Sequence, residues 1–172
     1  AADTKTLTVT LKNPLNVRRA DVPVVLQLKD VPFNVKDAVV RCEGREVASQ
    51  IDDLDRDLHN DELAFVIDMD AKCKKVVTVD LYSEKQADRN YPRRTYGDMI
   101  MRDNKTKVKN GFRSYVHSVS APEGVDVFHL LHHHGADFES ELVAYRVYFD
   151  ERQTFDLYGK YKKQLELETS QC

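Results

Sequence analysis

The sequence predicts an all-β protein, a β-sandwich followed by part of a larger sheet. Three observations predict it. Apolar residues alternate with polar ones at a period of two along most of the first 82 residues, the pattern of strands with one buried face. Turn-forming residues interrupt these runs at a spacing of about ten, as a sandwich requires. No window shows capped helical periodicity.

The elements follow in order. "TLTVTLKN" sets Leu7, Val9 and Leu11 against threonines, and "VPVVLQLKDV" puts Val24, Leu26 and Leu28 on one face. "DAVVRCEGREVASQID" reads as strands around a turn at Glu43-Gly44. "ELAFVIDMD" aligns Leu63, Phe65, Ile67 and Met69, and "KKVVTVDLYS" aligns Val77, Val79 and Leu81. These strands predict a sandwich domain over residues 1–86. From Glu84 the texture turns polar, basic and poor in aliphatics, as in a connector. Residues 87–172 then read as the start of a second domain with longer strands. Phe138 to Phe149 is predicted as one strand, "ERQ" as a turn, "TFDLYGK" as the return, and "LELETSQC" as strand-like. A sheet of that length needs further strands, which a C-terminal remainder of the same protein is expected to supply.

Composition narrows the function classes. The 172 residues carry a net charge of −3 with 32% charged residues, so no basic excess draws the chain to nucleic acid or anionic lipid. No apolar run reaches the length of a membrane span. The start, "AADTKTLTV", lacks an initiator Met and an apolar core segment, and reads as a mature end after signal removal or as an arbitrary boundary. Cys42, Cys73 and Cys172 form no C-x-x-C pair. They read as unpaired thiols, with a Cys42–Cys73 bridge open only to an oxidising compartment.

The stretch "QIDDLDRDLHNDELAFV" places Asp53, Asp55, Asp57 and Asp61 at positions 1, 3, 5 and 9 of a loop, with the His59 carbonyl at 7. That is the oxygen spacing of a calcium loop. Leu58 stands where a glycine takes positive φ, and Ala64 where a bidentate glutamate closes such a loop. An exposed hairpin loop rich in Asx turns fits the same residues.

His132, His133 and His134 precede Gly135, with His129 just upstream. In an extended chain His132 and His134 would face one way and His133 the other. In the strand that follows, Glu139 and Glu141 share the parity of Val143, Tyr145 and Val147, whereas Arg146 shares that of Leu142, Ala144 and Tyr148. Charges on both faces of so apolar a strand need pairing or an open cleft. Asp156, Tyr158, Lys160 and Tyr161 lie past the turn. Such a set suits a sugar cleft, with aromatics stacking on pyranose faces and planar charges gripping hydroxyls or a uronate. Cross-strand salt bridges on a solvated face are the plain alternative.

"NPLNVRRADVPVVL", "ASQIDDLDRDLHNDELAFVIDM" and above all "HHHGADFESELVAYRVYFDERQTFDLYGKYKKQLELE" resemble the N-terminal part of the domain-of-unknown-function 4861 family. The sequence departs from the family's acidic motif at Leu58, where a glycine is usual. The resemblance implies a secreted, periplasmic or extracellular protein of glycan-degrading Gram-negative bacteria. It also implies a sandwich followed by a galactose-mutarotase-like supersandwich, and members well longer than this chain.

The expected function is that of a carbohydrate-active protein acting on an acidic, pectin-like polysaccharide. For lyase chemistry Arg146 neutralises the uronate, His133 or His134 takes the α-proton, and Tyr145, Tyr148 or Tyr158 protonates the leaving oxygen. Glu141 joins that catalytic set if a β-bulge brings it to the face of Arg146. For hydrolysis the carboxylates are Glu139, Glu141 and Asp156. His132, Glu139, Tyr158 and Lys160 are the expected substrate-binding residues. The alternative is a non-catalytic glycan-binding or accessory protein.

Overall fold

β-Branched alternation makes strands where the sequence places them. A computed structural model describes residues 2–102 and 114–170. Its first strands are β1 (Thr4–Lys12), β2 (Arg19–Gln27), β3 (Asp37–Cys42), β4 (Arg45–Val47), β5 (Ser49–Asp52), β6 (Glu62–Met69) and β7 (Lys74–Tyr82). They form two antiparallel sheets, ordered β1-β7-β3-β4 and β2-β6-β5. Leu63, Phe65, Ile67 and Met69 from β6 meet Val77, Val79 and Leu81 from β7 in the core. Burying each Leu or Phe contributes roughly 1.5–3 kcal/mol. Leu7, Val9, Leu11, Val24 and Leu26 pack against them, half-buried. Glu43 and Gly44 both take positive φ, +53° and +74°, as a two-residue hairpin turn with strand-matching twist requires. Past Ala48 the chain changes sheets, so β4 and β5 belong to different layers.

The chain divides into two compact units, Ala1–Tyr91 and Pro92–Cys172. The sequence reading places the change after residue 86. Residues 87–91 stay with the first unit because Asp37, buried in β3, holds them. Its carboxylate accepts from the backbone N–H of Gln86 at 2.7 Å and from Arg89 Nη1 at 2.6 Å. Arg89 also reaches Glu46, and so does the Tyr91 hydroxyl.

The second unit holds β8 (Thr95–Asp98), β9 (Gly135–Ser140), β10 (Val143–Tyr148) and β11 (Phe155–Gly159), in the order β11-β10-β9-β8. The single strand expected over Phe138–Phe149 is a hairpin. Glu141 and Leu142 form its turn, with the Ser140 hydroxyl accepting from the N–H groups of Leu142 and Val143. The turn reverses the parity argument. Ala144 pairs with Glu139 and Arg146 with Asp137, so Glu139 and Arg146 share a face while Glu141 leaves the sheet. The turn at "ERQ" forms as expected, with Asp150 accepting from the N–H groups of Arg152 and Gln153. Within the strand expected at "LELETSQC", Leu167–Thr169 form a 3-10 turn instead. Cys172 lies outside the described residues; Cys42 and Cys73 are free thiols.

Gly135 admits no side chain. A Cβ there would lie 1.8 Å from the Val147 carbonyl oxygen, so β9 and β10 pair at this point only through a glycine.

Candidate active site on the charged sheet face

Register sets a row of charges across the sheet of the second unit. Asp156 on β11 opposes Arg146 on β10, Arg146 opposes Asp137 on β9, and Asp137 opposes Asp98 on β8. Directly paired residues point to one side, so all four side chains share a face. The next positions along that face are Tyr148, Tyr158, Glu139 and Tyr96. The opposite face carries Phe138, Tyr145, Phe155 and Leu157, and Phe138 stacks on Tyr145 with ring centroids 5.1 Å apart.

One end of the row is an aromatic and arginine patch. The Tyr148 hydroxyl donates to Asp156 Oδ2 at 2.7 Å and the Tyr158 hydroxyl to the same oxygen at 2.8 Å. Arg146 lies over both rings, 5.9 Å from the Tyr148 centroid and 5.7 Å from that of Tyr158, and Nη1 donates to the Tyr148 hydroxyl at 3.3 Å. The hydrogen bonds from Tyr148 and Tyr158 hold the Asp156 carboxyl below its usual range. Burial, then the bond to Asp156, pushes the Tyr158 phenol up to about 12.

The histidine run is a 3-10 turn, His132–His134, rather than extended chain. His133 and His134 take left-handed φ of +55° and +66°, which overturns the expected alternation. The His132 and His133 rings lie together at 3.8 Å, and His134 turns away to stack on Phe128 at 3.9 Å. Phe128 and His134 both stack toward Tyr148, at 6.1 and 6.4 Å. His134 Nδ1 lies 3.1 Å from the Phe128 carbonyl. A carbonyl only accepts, so Nδ1 carries the proton and Nε2 of the neutral ring keeps a lone pair. Beside Phe128 runs a groove of about 520 Å³, lined by Val125–His129 and Phe149–Arg152. His129 is exposed there, against Asp126.

The other end of the row is buried. His133 Nδ1 contacts Asp137 Oδ2, with both side chains almost wholly inaccessible. The Tyr96 hydroxyl donates to Asp98 Oδ2 at 2.5 Å. Burial, then the facing Asp137, raises the Asp98 carboxyl to about 6. One ring nitrogen and one oxygen from each carboxylate lie within 4.8 Å of one another, a set able to hold a metal ion. The sequence reading missed Asp98, Asp137, Tyr96 and Phe128. The period-2 pair Asp137 and Glu139, both acidic in a strand entered through a glycine, was the available signal.

The remaining expected residues are placed elsewhere. Glu139 and Lys160 form an ion pair with side chains 0% and 3% exposed. Glu139 also accepts the N–H groups of Glu166 and Leu167, and Lys160 donates to the Gln164 carbonyl. Both therefore anchor the chain after β11. Glu141, in the hairpin turn, pairs with Arg94 and Lys163, and no bulge returns it to Arg146. In the first unit Asp53, Asp55 and Asp61 bring carboxylate oxygens within 4.8 Å of one another. Asp57 instead accepts the N–H of His59 at 2.7 Å. Asp53 accepts the N–H groups of Arg56 and Leu58, and Asp61 that of Leu54. Leu58 takes the glycine-like φ, +72°.

Fold and site define an all-β chain whose second unit carries a sheet with a charged, histidine-edged face. The chain belongs to the family described as a domain of unknown function (DUF4861), whose profile matches residues 11–172. No curated protein and no solved structure matches it. Among the described residues no helix is long and apolar enough to cross a membrane.

Proposed function

We propose that the charged face binds an acidic, pectin-like glycan and carries out lyase-type β-elimination on it. The observation that carries this reading is the placement of Arg146 on one face with Tyr148, Tyr158 and Asp156, beside the Phe128–His134–Tyr148 stack. Arg146 matches a uronate carboxylate by its planar fork. The lone pair on His134 Nε2 accepts the proton α to that carboxylate. The bond to the leaving oxygen then breaks, a carbon–carbon double bond forms, and the proton for the leaving oxygen comes from Tyr148 or Tyr158. His133, with 1% exposure, is too deep to meet a polymer.

Hydrolysis fits less well. Glu139 is fully engaged with Lys160 and two backbone N–H groups, and Glu141 is in the turn. Asp98 and Asp137 stand closer together than the roughly 5–9 Å that two-carboxylate hydrolases use. The second reading, a non-catalytic glycan-binding protein, is favoured by the aromatic stack alone. A periplasmic or extracellular location belongs to the same proposal. So does a supersandwich, in which a further layer covers the apolar face of Phe138, Phe155 and Leu157, each exposed.

The full chain is incubated with pectic oligouronates, and the ultraviolet absorbance of the unsaturated product is followed. A lyase loses turnover in His134→Gln while retaining binding, and loses binding in Arg146→Ala. Binding with no product in the parent protein selects the second reading. Neither binding nor product defeats both.

A further inference from the structure

Asp98 and Asp137 oppose each other in register across β8 and β9. Like charges so placed destabilise a strand pair unless something positive lies between them. Arg146 opposes Asp137 on its other side, yet Asp137 Oδ1 has no hydrogen-bond partner among the described residues, and neither does His133 Nε2. His133 is 1% exposed and Asp137 2%, so bulk water does not reach these atoms. Unmet buried polar atoms of this kind need an explanation. The backbone here is also strained, with left-handed φ at His133 and His134, a conformation that persists at sites which use it. A proton shared between the two carboxyls would relieve their repulsion and leave the imidazole unmet. A cation takes lone pairs from all three residues.

We propose that Asp98, His133 and Asp137 hold a divalent first-row transition-metal ion of the zinc or manganese class. One donor atom from each already lies within 4.8 Å of the others. Ligands about 2.1 Å from a common ion stand up to about 4.2 Å apart, so small side-chain adjustments close the site. An imidazole with two carboxylates favours these ions over calcium. Tyr96, donating to Asp98 at 2.5 Å, orients that carboxylate as outer hydrogen bonds do for metal ligands. Three protein ligands leave positions open for water or for a substrate oxygen. The site stands whether or not the glycan reading does.

The test uses the full chain, stripped with a chelator and titrated by calorimetry with Zn²⁺ and with Mn²⁺. An Asp53→Ala, Asp61→Ala background removes the acidic loop as a competitor. One ion per chain is expected. Asp98→Asn and His133→Gln should each weaken binding by at least about 10-fold, and the ion should raise the melting temperature of the parent. Asp98→Asn changes the least buried ligand without changing its shape, so it remains informative if His133→Gln does not fold. An isotherm for folded Asp98→Asn equal to the parent's overturns the proposal. So does the absence of binding combined with a more stable Asp98→Asn, the outcome a shared proton produces.

Discussion

The two units are both antiparallel β, yet the second buries ionisable groups beside its apolar residues Ile100, Leu131, Ala144 and Leu167. In the first, β6 and β7 turn Leu63, Phe65, Val79 and Leu81 inward, and the one buried carboxylate among the described residues, Asp37, is met by Arg89 and three backbone N–H groups. In the second, Asp137, Glu139 and His133 are buried while Phe138, Phe155 and Leu157 are exposed. The first pattern is what stability selects. The second costs stability, and within it only Glu139 is fully compensated. Asp137 and His133 are not, which marks them as the atoms a ligand would complete.

The largest expected effect breaks the second unit at its closest approach. Gly135→Ala drives a Cβ into the Val147 carbonyl, a backbone clash that no rotamer relieves. It should cost about 4 kcal/mol or more and strip hydrogen-exchange protection from β9 and β10 alone. Protection unchanged in those strands would show that the pairing has slack. Next come the two cores. Leu81→Ala should cost about 2–5 kcal/mol by leaving a cavity. Glu139→Gln should cost about 3–5 kcal/mol by leaving Lys160 buried without its counter-charge. The double change Glu139→Leu, Lys160→Met should recover only part of that loss, because the Glu166 and Leu167 N–H groups and the Gln164 carbonyl lose their partners, whereas no second change of polarity rescues Leu81→Ala. A double variant as unstable as the single one would refute the contrast.

A smaller effect belongs to Asp37. Burial raises its carboxyl, but the hydrogen bonds from Arg89, Gln86 and Ala87 outweigh that and leave it lowered from 3.8. A lowered acid stabilises the fold above its unfolded pKa, and that stability fades as pH falls through the folded value. Arg89→Ala should therefore cost about 1.5–3 kcal/mol at neutral pH. The difference from the parent should shrink below pH 3.8, as urea midpoints across pH would reveal; a constant difference would assign the loss to packing. The smallest effect is expected at the acidic loop. Millimolar Ca²⁺ should stabilise the first unit by no more than about 1 kcal/mol, because Asp53 and Asp61 already serve backbone N–H groups. Asp53→Asn should abolish the gain. No gain in the parent would leave the loop a self-capped turn.

The sequence by itself determined the all-β class, the faces of β1, β2, β6 and β7, and the turns at Glu43-Gly44 and Glu151–Gln153. Those features depend on a period of two and on residues that accept turn geometry, and both are local. It also marked Arg146, Tyr148, Tyr158 and the histidine run as a charged, aromatic group. Only the tertiary structure decided how that group divides. The hairpin turn at Glu141-Leu142 moved Glu141 off the sheet and set Glu139 on the face of Arg146. Left-handed backbone at His133 and His134 sent the two imidazoles to different partners. Asp98 reached Asp137 only through the pairing of β8 with β9. Register and burial are set by contacts between residues distant in the chain, and no local periodicity records which carboxylates those contacts will leave facing each other.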